Sequence, residues 1–217
     1  MKKEAIILNT IEYVKSTLAK AEGGHDWWHI YRVWKIAQNI GKKEKADMFI
    51  VELAALLHDI ADYKMHGGDD SVGPKIARVW LKKQGVDEKI IIHICEIIKE
   101  SSFKGAKVKS KIKTIEGKIV QDADRLDALG AIGVGRTFAF GGHKNREMYN
   151  PGIKPRMHKS FEQYKKSNSP TINHFYEKLL LLKDLMNTKS GKAMAQKRHK
   201  IMEKFLKDFF SEWEGKF

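Results

Sequence analysis

The chain has 217 residues, of which 42% are hydrophobic and 31% charged. This length and composition exclude a disordered or fibrous protein and allow one globular domain with a sizeable core, which we expect to span residues 1–217. The only cysteine, Cys95, excludes an internal disulfide framework, and no stretch approaches a membrane span. We therefore expect a cytoplasmic protein with no membrane partner.

The chain is strongly basic, with a formal net charge of +14 and an isoelectric point near 9.6. Such a charge favours anionic partners, namely nucleic acid, nucleotides or an acidic surface. A surface rich in lysine for solubility explains the same charge. Charge alone therefore does not decide the function.

Apolar residues recur at helical spacing along nearly the whole chain, and no set of alternating strands is evident, so the pattern predicts an all-α fold. The sixth predicted helix is expected to continue irregularly to Gly141. The segment "GGHKNREMYNPGIKPRMHKS", residues 141–160, predicts a long loop of the kind that often carries function. In chain order, the predicted helices span residues 2–21, 26–41, 46–62, 71–85, 87–99, 115–129, 171–186 and 189–213.

The third predicted helix contains "LAALLHDIADY", an apolar run interrupted by His58, Asp59 and Asp62. A carboxylate in apolar surroundings costs several kcal/mol unless a cation or a hydrogen-bond network compensates it. A bound divalent ion would do so. Alternatively, these residues mark the solvated edge of an amphipathic helix. Glu52, on the same stripe, is expected to face solvent or a lysine such as Lys45.

Two further segments carry polar residues of the same kind. "GHDWWHIYRVW" contains His25 and His29, and "IVQDADRLDALGAIG" contains Asp122, Asp124 and Asp127. Three separate helices thus offer imidazole or carboxylate groups in apolar surroundings. A metal site built in a helical core requires such a distribution.

The order of a histidine, a later His-Asp pair and a distant aspartate resembles the HD-domain metal-dependent phosphohydrolase superfamily. The longer matches "HDWWHIYRVW", "AALLHDIADYK" and "EGKIVQDADRLDALGAIGVGRTFAFGG" resemble, more narrowly, its small stand-alone bacterial members. The resemblance covers about residues 21–142, and the loop and helices of residues 143–217 would complete the domain. It implies a helical bundle with a metal site in its core.

Carried over by position, the resemblance implies that His29, His58, Asp59 and Asp124 are the metal ligands. The family pattern places the first ligand before "xxRV", which selects His29 and leaves His25 at the helix start or pocket rim. Two imidazoles and two carboxylates suit Mn, Fe, Co, Ni or Zn, and Mg is also an option. We expect one divalent ion, with manganese as the first choice.

Binuclear branches of the superfamily carry extra histidines after the His-Asp helix, where this chain has Ser101 and Ser102. His93 lies earlier on an apolar helix and is expected to be a satisfied core histidine. Asp122 and Asp127 are expected to orient ligands or to cap helices. The serines in place of the extra histidines, and the core position expected for His93, favour a single metal ion.

The resemblance also implies a catalytic residue, and phosphoryl chemistry additionally requires cationic groups that stabilise the charge on the phosphate oxygens. Asp62 occupies the position where related nucleotide-cleaving enzymes carry a catalytic acid, and would position or deprotonate the attacking water. Lys104 and Arg136 are candidates to bind substrate phosphates. Ordinary surface positions remain the alternative for all three.

The expected function is hydrolysis of a phosphate ester or anhydride bond in a nucleotide, with a (deoxy)nucleoside triphosphate as the implied substrate. The alternative is a basic helical nucleic-acid-binding protein with a structural metal site, supported by the net charge, "KGAKVKSKIK" and five tryptophans. Against it, Trp27, Trp28, Trp34 and Trp80 are expected to pack inside the fold. The oligomeric state stays open, with a homodimer as one option.

Overall fold

A computed structural model describes residues 2–19, 26–61, 69, 71–101, 111–156 and 169–216. These residues contain helices and no strand, which confirms the all-α prediction. None of the helices found there is both long and apolar enough to span a membrane. The elements are α1 (Lys2–Thr17), α2 (Trp27–Glu44), α3 (Met48–Leu57), α4 (Val72–Lys83), α5 (Glu88–Ser101), α6 (Ile115–Asp127), α7 (Gly130–His143), α8 (Asn173–Glu177), a 3-10 helix (Leu179–Leu185) and α9 (Lys189–Trp213).

The described residues form two compact units by backbone contact. The first includes residues up to Asp124, and the second begins at Arg125, so the division falls within α6. The expectation of a single domain stays a prediction.

Helix α3 is the centre of the first unit. It lies against α1, α2 and α5, and its residues from Leu53 to Leu57 are fully buried. A helix contacted on several sides has no solvated face, which explains its almost uninterrupted apolar sequence. His58 and Asp59 follow directly at its carboxyl end.

Two aspartates fix the starts of the helices that carry the candidate ligands. The Asp26 carboxylate accepts a hydrogen bond from the backbone N–H of His29 at 2.9 Å. The Asp47 carboxylate accepts from the backbone N–H groups of Phe49 and Ile50 at 2.9 and 3.5 Å. Such caps satisfy amides that have no partner within the helix.

The predicted end of α2 at Gly41 was wrong, because the helix continues to Glu44 and ends with Lys45 in the left-handed conformation at φ 56°. Gly41 instead allows close packing, since a Cβ atom there would lie 2.8 Å from the Met48 sulfur. The helix predicted to reach Asp62 ends earlier, at Leu57.

In the second unit, α7 is a separate and regular helix, so the predicted irregular continuation of α6 was wrong. Gly130, at φ 73°, is the first residue of α7, and its left-handed conformation interrupts the helical path after α6. The loop predicted for residues 141–160 begins later, because residues 141–143 belong to α7; residues 144–156 lack helix, as predicted, and 157–160 lie outside the described residues. The predicted helix 171–186 is divided into α8 and the 3-10 helix. Stacked and edge-on contacts join the rings of Phe138, Phe175, Phe205 and Phe209.

Candidate metal centre

Two buried imidazoles meet where α2 begins and α3 ends. His29 lies in the first turn of α2, and His58 follows the last residue of α3. Their side chains are 2% and 3% exposed, and their ring centroids lie 5.3 Å apart. The packing of α2 against α3 therefore brings together two histidines that are 29 residues apart in the chain.

Two carboxylates lie beside both imidazoles. The Asp59 Oδ2 atom is 3.6 Å from Nε2 of His29 and 3.8 Å from Nε2 of His58. The Asp124 Oδ1 atom, from α6, is 3.5 and 3.9 Å from the same two nitrogens. The carboxylates are 20% and 29% exposed, whereas the imidazoles are buried, so the group is accessible from its carboxylate side.

The hydrogen bonding of His58 fixes which ring nitrogen faces this group. Its Nδ1 atom lies 2.9 Å from the backbone carbonyl oxygen of Ala55. A carbonyl oxygen can only accept, so Nδ1 carries a proton, and in the neutral imidazole Nε2 then presents a lone pair. That Nε2 atom is buried and has no hydrogen-bond partner among the described residues. Binding of a cation would satisfy it.

The distances fit a divalent ion. The candidate ligand atoms of His29, His58 and Asp59 all lie within 4.8 Å of one another. Ligands about 2.1 Å from a tetrahedral ion would be about 3.4 Å apart. The four nitrogen–oxygen separations of 3.5–3.9 Å therefore require only small inward shifts of the side chains.

Other residues singled out in the sequence have defined surroundings. Asp122 is fully buried on α6, and its expected orienting role stays a prediction. The His93 Nε2 atom lies 3.0 Å from the Thr114 hydroxyl, and His93 is partly exposed rather than in the core. Arg125 donates to the carbonyl oxygen of Leu185.

Among the predicted catalytic and substrate-binding residues, the structure describes Arg136. Asp62, Lys104 and His25 lie outside the described residues. Arg136 belongs to the second unit, where its guanidinium pairs with the buried Asp127 carboxylate. The assignments of Asp62, Lys104 and Arg136 stay predictions.

Glu52 has a role that the sequence did not indicate, and the expectation that it faces solvent or Lys45 was wrong. Its Oε2 atom accepts from the Trp34 indole N–H at 2.9 Å and from the Gln38 amide at 2.8 Å. These bonds join α3 to α2, the helix that carries His29. The spacing of Trp34 and Gln38, four residues apart, was the only hint in the sequence.

Comparison with known proteins shows the family of the chain. Residues 27–129 match the model of the HD domain family, a range that contains all four clustered side chains. YpgQ of Bacillus subtilis strain 168 is 38% identical over 206 residues, covering 94% of this chain and 91% of YpgQ. The chain belongs to the HD-domain family.

Solved structures of HD-domain relatives extend the similarity over almost the full length. An HD-superfamily hydrolase from Bacillus thuringiensis is 46% identical, with a TM-score of 0.79 and 98% coverage of both chains. The crystal structure of B. subtilis YpgQ in complex with ADP is 33% identical, with a TM-score of 0.78 and coverage of 98% of this chain and 97% of YpgQ. The predicted resemblance to small bacterial HD-domain proteins is thereby confirmed.

Proposed function

We propose that this protein is a metal-dependent phosphohydrolase that cleaves a phosphate ester or anhydride bond of a nucleotide, with a (deoxy)nucleoside triphosphate as the first candidate. The observation that carries the proposal is the cluster of His29, His58, Asp59 and Asp124, in which the buried Nε2 atom of His58 presents a lone pair. Membership of the HD-domain family supports it.

The four side chains would hold one divalent ion, for which manganese is the first choice among Mn, Fe, Co, Ni, Zn and Mg. Such an ion lowers the pKa of a bound water and polarises a phosphorus centre. The two carboxylates offset its charge, while the two buried imidazoles donate lone pairs from fixed positions. The exposed carboxylate side leaves access for water and a phosphate oxygen.

Three further residues complete the proposal. Asp62 follows Asp59 by three residues and would position or deprotonate the attacking water. Lys104 and Arg136 would stabilise charge on the substrate phosphates. The Arg136 guanidinium, 29% exposed, keeps part of its surface available while it pairs with Asp127.

The nucleotide as substrate rests on two supports. One is the complex of the YpgQ relative with ADP. The other is the net charge of +14, which attracts anionic ligands. We further propose a cytoplasmic location, consistent with the single cysteine, and leave open whether the protein acts as a homodimer.

The test is a matrix of divalent metals against nucleotides, with phosphate and pyrophosphate measured as products. The wild-type protein, stripped of metal, should hydrolyse at least one nucleotide when Mn, Mg, Co, Ni, Fe or Zn is restored. Asp59→Ala should lose that activity, whereas Asp184→Ala, which removes a 72% exposed carboxylate, should retain it. Absence of cleavage with every pair, or full activity in Asp59→Ala, would disprove the proposal.

A further inference from the structure

The outer face of α2 carries an exposed row of aromatic and basic side chains. Trp28, Tyr31, Lys35, Asn39 and Lys42 follow one another at intervals of three or four residues and so share one face. Trp28 is 61% exposed and Tyr31 36% exposed, and the other three are also exposed. We call this row the aromatic–lysine stripe. The expectation that Trp28 packs inside the fold was wrong.

The rings of the stripe are held in place by their neighbours. The Trp28 and Tyr31 rings meet edge to face with centroids 6.0 Å apart, and Tyr31 meets Trp34 in the same way at 6.2 Å. The Lys35 ammonium lies 5.6 Å from the Tyr31 centroid and 4.3 Å from that of Trp34. Two exposed rings and an adjacent cation are thus already positioned before any ligand binds.

No acidic residue of α2 opposes this positive charge. All residues of α2 are described, and Glu44 is its only acid. Glu44 lies two positions after Lys42 and therefore points away from the stripe. Glu52 of α3 is occupied by Trp34 and Gln38. The stripe therefore combines flat apolar rings with lysines, and no acidic residue of α2 shares its face.

We propose that the aromatic–lysine stripe binds single-stranded nucleic acid. Bases stack on exposed aromatic side chains while lysines contact the phosphates, which is the combination that the stripe presents. It extends about 21 Å along the helix, enough for several nucleotides. The net charge of +14 favours the same anionic partner over a neutral protein surface.

The stripe and the candidate metal centre use different sides of α2, because His29 is buried while the stripe is exposed. Nucleic-acid binding therefore does not depend on hydrolysis. Asp59→Ala, which tests the hydrolase proposal, is expected to leave binding by the stripe unchanged. The two proposals can fail separately.

Fluorescence anisotropy of a labelled oligothymidylate of about 12 nucleotides tests the proposal on the full chain. Trp28→Ala and Tyr31→Ala should each weaken binding by about fivefold or more through lost stacking. Trp213→Ala, which removes another exposed tryptophan at 47%, should change it less than twofold. Equal effects at Trp28 and Trp213, or no binding by wild type at low salt, would refute the proposal.

The lysines are tested independently of the rings, so the proposal stays testable even if Trp28→Ala fails to fold. Lys35→Gln with Lys42→Gln should reduce the slope of log K against log salt by about 1.4, since each single-strand phosphate contact contributes about 0.7. Lys189→Gln with Lys192→Gln removes two exposed lysines of α9 and should leave the slope unchanged. Equal slopes for the two double variants would contradict phosphate contact by the stripe.

Sedimentation of the same variants tests whether the aromatic–lysine stripe binds a second copy of the chain instead of nucleic acid. Wild type, Trp28→Ala and Lys35→Gln/Lys42→Gln should have the same mass without nucleic acid. If wild type were dimeric and Trp28→Ala monomeric, the stripe would be an interface between two copies of the chain, and the nucleic-acid proposal would be wrong.

Discussion

The Nδ1 atom of His58 lies 2.9 Å from the backbone carbonyl oxygen of Ala55, less than one turn earlier in the chain. This bond places the proton on Nδ1 and directs the Nε2 lone pair toward Asp59 and Asp124. The last turn of α3 therefore orients His58 for ligand binding before any ion is present.

Replacing His58 by Gln should lower manganese affinity by about 100-fold or more, because a ligand contributes at least as much as the outer hydrogen bonds that orient it. Calorimetric titration of metal-free protein measures the change. His93→Gln is the matched control, since the Nε2 atom of His93 bonds to Thr114 away from the cluster. Equal affinity of the two variants would exclude His58 as a ligand.

Replacing Glu52 by Leu should lower the free energy of unfolding by about 1–3 kcal/mol, because the Trp34 and Gln38 donors lose their acceptor in a partly buried place. Urea unfolding measures the difference. Glu96→Leu, at an exposed position of α5, should change it by less than about 0.5 kcal/mol. A Glu52→Leu protein as stable as Glu96→Leu would show that the link between α2 and α3 contributes little.

Replacing Arg136 by Met should destabilise the protein by about 2–4 kcal/mol, since the Asp127 side chain is 1% exposed and would lose its ion pair with the guanidinium. Arg78→Met is the control, because Arg78 pairs with the half-exposed Glu88 and should cost less than about 1 kcal/mol.

The double variant Arg136→Met with Asp127→Asn should be more stable than Arg136→Met alone, as judged by urea unfolding, because Asp127→Asn removes the buried charge that the guanidinium compensates. If the stability lost in the double variant equalled the sum of the losses in Arg136→Met and Asp127→Asn, the two residues would have no coupling energy. Where Arg136→Met remains folded, a raised KM for the nucleotide would support its proposed contact with substrate phosphate.

His174 should make stability depend on pH in the acid range. Burial, with smaller effects from the Lys178 and Arg146 cations, lowers the pKa of His174 to about 3. The unfolded chain binds this proton below about pH 6.5, whereas the folded chain does not until about pH 3, so stability falls as pH decreases between these values.

Between pH 7 and pH 5 this histidine should account for about 1–2 kcal/mol of lost stability. Urea unfolding at both values should show a smaller loss in His174→Gln than in wild type. His143→Gln, at an exposed position, should behave as wild type. An identical pH dependence in all three proteins would contradict the lowered pKa of His174.

Local sequence patterns predicted the helices well where residues of the helix itself, such as its cap, determine its bounds. Apolar periodicity gave the all-α class, and Asp26 fixed the start of α2 by capping it. Gly41 misled, because its small size serves the contact with Met48 rather than the end of a helix. The close approach of Arg198 to Gly130 and the hydrogen bond from Trp34 to Glu52 involve partners distant in sequence, which periodicity does not identify.

The candidate site was predictable as a set of residues but not as a geometry. The histidines and aspartates in apolar segments, with the family resemblance, indicated all four side chains that the fold brings together. The tautomer of His58 depends on one carbonyl of its own helix end, which no motif specifies. The exposed position of Trp28 could not be predicted either, since aromatic residues at helical spacing usually pack inward.

The most direct test of the central claim is anomalous diffraction from crystals of the full chain soaked in manganese. We expect one strong anomalous peak in contact with Nε2 of His29, Nε2 of His58, Oδ2 of Asp59 and Oδ1 of Asp124, the four atoms that cluster here. If the anomalous map shows no peak among these atoms, or if its only peak lies elsewhere, the result would contradict a catalytic ion held by these four residues.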